Sequence, residues 1–396
     1  MSKKKLLFVY HSMIIGGSTT SLLAQLNNLD PQKYDIDLQL YRNEGPLLDM
    51  IPAHVSLLPA AERYRGKAGK IRKLLKFAFS GKAFRYAWLK ATKKHRPANM
   101  IKGDFQVTGL SRKNTKTYDY VIGCMEGWSD KYAAFMTRGA VKYAWIHSTF
   151  SKISPEATRP LPWMAPFKKL VFVSDSCRDA FYEQIPEMNG RAITIENITD
   201  DDIVRERSLA KEDDAFLERM RSAEGLKLVT VCRVTRSVKG LDRVVSAAKA
   251  LKKNGVDFLW YIIGDGDDTD ALSNMIAAAG VGDKLIQIGR RMNPYPYLAA
   301  ADIMCMPSRY EGKPMVVTEA MILGAVPVVT EYLSAREQIR AGEEGVIVEN
   351  NDTSIIDTLL DLSSDRDRIA KMKDVLISRR YGNKEYIKEI ETELFE

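Results

Sequence analysis

Cysteine and histidine are scarce in this chain. The four cysteines, Cys124, Cys177, Cys232 and Cys305, are scattered and form no CxxC pair. That argues against a zinc site and against a disulfide framework, and fits reduced thiols in a cytosolic protein. Of the four histidines, His11 and His147 each end a predicted strand, and no metal site is expected. No apolar run reaches the ~18 residues of a membrane span. The opening MSKKK runs straight into the strand-like LLFVY. It shows no h-region followed by a small-residue cleavage site, so a secretory leader is not expected. The dinucleotide fingerprint is missing as well. After WYIIG, the turn Gly264-Asp265-Gly266 has Thr269 where a third glycine would stand, and the first strand does not end in GxGxxG. Dehydrogenase chemistry is therefore disfavoured. Asp265-Gly266-Asp267 also spells DxD, a weak signal for Mg²⁺ beside a nucleotide. A capping turn is the preferred reading.

The 396 residues are 45% hydrophobic and 28% charged, a size and composition that favour two globular domains. The net charge of +8 is local. Residues 62–96 hold thirteen Lys or Arg and one acid, +12 in total, which leaves −4 for the rest. Within that segment Ile71, Leu74, Leu75 and Ala78 fall at helical spacing, as do Phe84, Trp88 and Ala91. One or two basic amphipathic helices follow, a pattern suited to an anionic lipid surface. A solvated helix face is the plainer alternative. Nucleic acid is not an expected partner, because the remaining chain is acidic and no nucleic-acid module is evident.

Hydrophobic runs alternate with helical patterns along the whole chain. Strands are expected at 6–10, 34–41, 55–58, 119–124, 142–146, 170–174 and 191–196. A charged connection follows from Asn197 to about Gly225. A second series begins at Leu226, with strands at 226–232, 258–263, 285–288, 303–306, 326–330 and 345–348. The expectation is an α/β chain of two doubly wound, Rossmann-like domains. Residues 1–199 form the first, with the basic insertion at 62–96. Residues 200–375 form the second, and 376–396 form a helical segment that returns to the first.

The stretch RYEGKPMVVTEAMILGAVPVV, residues 309–329, sets Glu311 and Glu319 around a predicted helix start. Pro314 suits the first helical position, where its missing N–H costs nothing, and Gly324 ends the helix. Gly312 lies in the loop. Amides from about Met315 and Val316 onward would form an anion site at the helix start. Carboxylates repel phosphate, so the two glutamates would instead accept from hydroxyls, as in a sugar joined to a phosphate. Arg233 after the strand at 226–232, and Lys239 before the next helix, supply two cations that suit a diphosphate without a metal.

With these residues in view, the chain resembles the GT-B fold glycosyltransferases of family 4, the large retaining, nucleotide-sugar-dependent group. RVTRSVKGLD, YIIGDGDDTDAL and PYLAAADIMCMPSRYEGKPMVVTEAMILGAVPVVT carry the resemblance in the second half. MIIGGSTTSLLAQLNNL and AWIHSTFSKISP carry it in the first. Lys313-Pro314-Met315 and IENITD depart from the commoner family wording and leave the donor sugar open. The resemblance implies two Rossmann-like domains facing across a cleft. Arg233 and Lys239 would hold the donor diphosphate, with Gly264 beside them. Glu319 would accept from the ribose hydroxyls and Glu311 from the transferred sugar. Gly16 and Gly17 would let backbone approach the phosphates, and His147 would touch the donor sugar near the reacting carbon. Glu126, in the loop GCMEGWSDKY, is a candidate acceptor contact. The implied activity is metal-independent hexosyl transfer from a nucleotide-sugar, a UDP-sugar, to a saccharide or lipid-linked saccharide acceptor. The setting would be bacterial surface polysaccharide or glycopolymer synthesis, with the enzyme cytoplasmic and peripheral at the inner membrane face. A GT-B sugar-nucleotide epimerase, or a non-catalytic sugar or nucleic-acid binder, are the alternatives.

Overall fold

The computed structural model describes residues 2–64, 66–92, 104–211 and 214–395. The chain divides into two compact units, 1–196 with 385–396, and 197–384.

The first unit is built on seven strands: β1 (Lys4–Tyr10), β2 (Tyr34–Leu40), β3 (Val55–Leu57), β4 (Thr117–Gly123), β5 (Arg138–Ile146), β6 (Lys169–Phe172) and β7 (Ala192–Thr194). They pair in the order β3-β2-β1-β4-β5-β6-β7, every pair parallel. The second unit holds β8 (Leu226–Val231), β9 (Phe258–Ile263), β10 (Leu285–Gly289), β11 (Ile303–Met306), β12 (Val326–Thr330) and β13 (Val346–Val348). Their order is β10-β9-β8-β11-β12-β13, again all parallel. These strands read as continuous apolar runs because crossover helices cover both faces of a parallel sheet. All six residues of β9 are buried. The doubly wound α/β class expected from the alternating pattern is therefore observed in both units.

Each sheet has one place where the strand order reverses, between β1 and β4 in the first unit and between β8 and β11 in the second. Open α/β sheets bind ligands outside the carboxyl ends of the strands at such a switch point. The loops after β1 and β4 carry Gly16 and Glu126. Those after β8 and β11 carry Arg233, Lys239 and Glu311.

Two sequence expectations need correction. The return to the first unit comes at residue 385 and not at 376. The helix Arg366–Ser378 stays in the second unit because Ile369, Met372 and Leu376 are buried in its core. The residues that do return bury Ile390, Leu394 and Phe395. The Phe395 ring lies 5.6 Å from Tyr34 and 5.2 Å from Tyr120. Secondly, Pro314 is the N-cap of the helix Met315–Ile322 and not its first residue. Its ψ of 118° is extended, and its carbonyl accepts from the Gln338 side chain at 2.9 Å.

The basic insertion forms two helices, Gly66–Ala78 and Lys82–Ala91, joined through Gly81 in the left-handed region. Of the expected segment, residue 65 and residues 93–96 lie outside the described residues.

Candidate functional site

In the second unit, two loops are stapled together. The Arg309 guanidinium forks onto the Asp242 carboxylate at 3.0 and 2.6 Å, and the Arg309 amide donates to the Val238 carbonyl at 2.8 Å. This ties the loop after β11 to the loop after β8. Gly240 makes the close passage possible. Its φ is +62°, and a Cβ there would stand 2.1 Å from the Pro307 carbonyl oxygen. The result is a contact across 72 positions of sequence: Lys239 Nζ donates to Glu311 Oε1 at 2.7 Å. Burial pulls the Lys239 ammonium down, but the adjacent carboxylate outweighs it and the pKa is raised, so the lysine stays charged.

Arg233 is not part of that pair. It is well exposed and approaches Asp267 at 3.7 Å. Asp265 accepts from the Gly266 amide at 2.8 Å and from the Thr269 hydroxyl at 3.2 Å. Asp265 therefore caps the turn, while Asp267 lies only near Arg233. Gly264 is required by its own geometry, with φ +145° and a Cβ position only 1.8 Å from the Cys232 carbonyl oxygen.

Gly312 is buried, and its carbonyl accepts from the Ser334 hydroxyl. Just beyond it the helix Met315–Ile322 begins with no side-chain cap and no acid in its first turn. Met315 is buried and Val316 half-buried at that start. Glu319 sits one turn further in, 8% exposed. Its Oε1 accepts from the Tyr295 hydroxyl at 2.9 Å. The Arg207 guanidinium lies 5.0 Å from the Tyr295 ring centroid. Burial pushes the Glu319 carboxyl up to about 6, against the opposing pulls of Tyr295 and Arg207. Neither Tyr295 nor Arg207 carried a sequence signal, because the contact joins separate helices across 24 positions.

In the first unit, Gly16 caps the helix Gly17–Asn28. The Gly16 carbonyl accepts from the amides of Thr19 and Thr20, both at 3.0 Å, and a Cβ on Gly16 would meet nothing within 4 Å. The loop therefore leaves open space at the helix start. Tyr10, at the end of β1, holds that start through Ser18 at 2.6 Å and Thr19 at 3.1 Å.

His147 follows β5. Its Nε2 lies 3.0 Å from the Cys124 carbonyl, which can only accept, so Nε2 carries the proton. Burial lowers the imidazole pKa, so the ring is neutral at pH 7 with Nδ1 as the lone-pair nitrogen. Glu126 does not stand apart: its Oε2 accepts from the His147 amide at 2.9 Å. The two sequence candidates of this unit are thus one constellation. Ser18, Ser21, Gln25, Cys124 and Trp145 line a small recess with His147, and Trp145 Nε1 finds no hydrogen-bond partner there. Sequence reading missed these lining residues, which lie on three different elements.

The four cysteines are free, three of them buried. Burial raises the thiols of Cys124, Cys232 and Cys305.

Residues 213–381 match the family described as glycosyl transferases group 1. An uncharacterized glycosyltransferase of Haemophilus influenzae is 30% identical over 158 residues, which is 39% of this chain and 44% of the relative. The amylovoran biosynthesis glycosyltransferase AmsK of Erwinia amylovora is 30% identical over 159 residues, 38% of this chain and 39% of the relative. The chain thus spans less than half the length of these relatives. Among solved structures, Anabaena HepE in complex with UDP and glucose superposes with a TM-score of 0.69 at 16% identity, covering 98% of each chain. TarM superposes with a TM-score of 0.66 at 14% identity, covering 100% of this chain and 99% of the other. The whole-chain likeness shows that this protein shares the two-unit α/β fold of these structures, and the match to glycosyl transferases group 1 lies in the second unit.

Proposed function

We propose that this chain is a retaining glycosyltransferase. It moves a sugar from a nucleotide-sugar, a UDP-sugar, to a saccharide acceptor, lipid-linked, in the synthesis of a bacterial surface polysaccharide. One observation carries the reading: the half-buried Lys239–Glu311 pair ties the loop after β8 to the loop that leads to the uncapped start of Met315–Ile322, with Glu319 one turn behind it. That unit offers positive charge and amide donors to a diphosphate and carboxylates to hydroxyls on either side. The names of relatives in amylovoran and colanic acid biosynthesis, and HepE's complexes with UDP and UDP-glucose, support the substrate classes.

In this reading Lys239, Arg233 and the helix amides stabilise the charge that grows on the diphosphate as the glycosidic bond breaks. Glu311 accepts from the transferred sugar, and Glu319 from the ribose. The neutral His147 offers Nδ1 as an acceptor for a hydroxyl bound at the first unit. The acceptor hydroxyl passes its proton to the departing phosphate, and no side chain serves as nucleophile. Glu126 acts through the backbone of His147 and not as a direct acceptor contact. The protein works without a metal, because the lysine and arginine supply the charge. It lies peripherally on the inner membrane face, and nucleic acid is not a partner.

The decisive experiment is a screen of nucleotide-sugars with lipid-linked and free saccharide acceptors, with the anomeric configuration of the product read by NMR. A product of inverted configuration, or interconversion of donor sugars without any acceptor, would overturn the proposal. Activity should survive EDTA. Full loss that Mn²⁺ restores would return the DxD acids to a metal role. Tyr295→Phe should weaken nucleotide affinity by about tenfold, the worth of a hydrogen bond to a charged group. Isothermal titration measures it.

A further inference from the structure

The basic insertion leaves the first unit and returns at a single point. Glu62 bridges to Ser111, and the Arg63 amide donates to the Leu110 carbonyl at 3.2 Å. Glu62 is buried and anchors this root, holding Arg42 at 3.0 Å together with Lys73. Burial raises its carboxyl, but these two cations outweigh it and hold it at about 2. Lys76 is also turned inward, donating to the Gly109 carbonyl at 2.7 Å. One aromatic packs inward too: Phe77 lies 5.4 Å from Tyr86 and 5.1 Å from Phe105.

Among the described residues, the opposite face is exposed instead. Ile71, Leu74, Leu75 and Phe79 are exposed along the helix Gly66–Ala78 and its end, at the spacing of one helical stripe. Phe84 and Trp88 are exposed on the second helix. Phe79 and Phe84, 86% and 82% exposed, flank the turn at Gly81. Arg72, Lys82 and Arg85 are exposed beside them. A soluble surface rarely exposes so many large apolar side chains together. The surrounding charge selects the partner, since a cationic rim around an apolar stripe fits an anionic lipid surface.

We infer that the helical hairpin is an insertion device for anionic membranes, with Phe79 and Phe84 at its tip entering below the headgroups and Arg72, Lys82 and Arg85 pairing with lipid phosphates. This deepens the peripheral-membrane reading above and is independent of the transfer chemistry. It also gives that reading a direction. The root of the hairpin lies at the carboxyl end of the parallel sheet, because Glu62 follows β3 and its amide donates to the Tyr41 carbonyl at the end of β2. The Tyr41 ring lies tilted, 5.1 Å from His11 and 5.0 Å from Trp128, and Trp128 Nε1 reaches the Ser111 hydroxyl at the root at 3.2 Å. Hairpin, His11 and the His147–Glu126 constellation therefore share one end of the first unit. An inserted hairpin brings that end to the bilayer, where a lipid-linked acceptor would present its sugar.

Co-sedimentation of the full chain with vesicles of phosphatidylcholine and phosphatidylglycerol, against phosphatidylcholine alone, tests this. The wild type should bind the anionic vesicles, and part of that binding should persist at high salt, because apolar insertion is not screened. F79S/F84S should lower the vesicle partition coefficient about tenfold or more, since burying one such ring is worth more than a factor of ten. The melting temperature should not change, both side chains being exposed. R72E/K82E/R85E should release the protein at low salt. Full binding by F79S/F84S would overturn insertion, as would a wild type that ignores anionic vesicles at low salt. A self-association that F79S/F84S abolishes, without vesicle binding, would assign the face to a second copy and overturn the lipid assignment. Nucleotide affinity measured on the same variants separates the two readings. Loss of vesicle binding with nucleotide binding intact is the expected result. A wild type that binds vesicles and turns over no nucleotide-sugar fails only the transfer reading.

Discussion

Lys239→Ala is expected to lower kcat/KM by about a hundredfold or more, roughly the 2.7–4 kcal/mol lost with one transition-state donor. The ammonium stands 2.7 Å from Glu311 and is largely buried, so water replaces it poorly. Arg233 should matter less to the free enzyme and to chemistry, being mostly exposed with Asp267 at 3.7 Å. The single substitution has a second consequence. It takes the ion-pair partner away from the half-buried Glu311 carboxylate, and such a loss is costly to stability. Lys239→Met combined with Glu311→Gln removes both charges and should recover the melting temperature without recovering turnover. The effects on kcat/KM should not add, because two residues in one ion pair are coupled. Steady-state kinetics and thermal melts on Lys239→Ala, Lys239→Met, Glu311→Gln and the double variant decide it. Wild-type turnover in Lys239→Ala would remove the diphosphate site from this loop.

The parallel sheets were legible in the sequence because buried strands of a doubly wound fold are written as short apolar runs between helical patterns. Thus β9, β11 and β12 fall on the residues expected of them. The boundaries that slipped are ones set by tertiary contact. The helix 366–378 stays with the second unit through three buried side chains, and Pro314 is an N-cap whose carbonyl accepts from the Gln338 side chain. The candidate site was legible as a set of residues and not as pairs. Nothing in the spacing links Lys239 to Glu311, Glu126 to His147 or Tyr295 to Glu319. Each pair forms where a sheet brings two loops or helices to one end, which is a property of strand order. The hairpin is the reverse case. Its charge and periodicity were plain, but only the fold shows that Phe77 turns inward while Phe79, Phe84 and Trp88 do not.

Glu319→Ala is expected to weaken nucleotide-sugar binding by roughly a hundredfold. A carboxylate that accepts from two ribose hydroxyls loses two charge-assisted hydrogen bonds, about 3 kcal/mol together, and the buried Tyr295 hydroxyl is left without its acceptor. The ribose lies away from the reacting carbon, so the loss should fall on binding more than on the chemical step. The wild type should show the same interaction as a pH dependence. Burial lifts the Glu319 pKa from 4.5 to about 6, with Tyr295 and Arg207 as the groups that oppose it. A protonated carboxyl keeps some acceptor capacity but spends one oxygen as a donor, so the ionised form binds hydroxyls better. Affinity should therefore rise with pH and level off above about 6, falling by up to about tenfold per pH unit below it. The effect on folding has the opposite sign. The folded state holds this proton more tightly than the unfolded chain, so the stability contributed by Glu319 is full below about 4.5 and is lost as pH rises through about 6. Isothermal titration with an intact nucleotide-sugar is the right measurement, because its diphosphate diester does not titrate in this range whereas free UDP does. Glu319→Gln should flatten the profile at low affinity. Tyr295→Phe should move the midpoint upward, since it removes a bond that favours the ionised form. A wild-type profile that is flat between about pH 5 and 7, or one that Glu319→Gln leaves unchanged, would take the ribose contact away from Glu319.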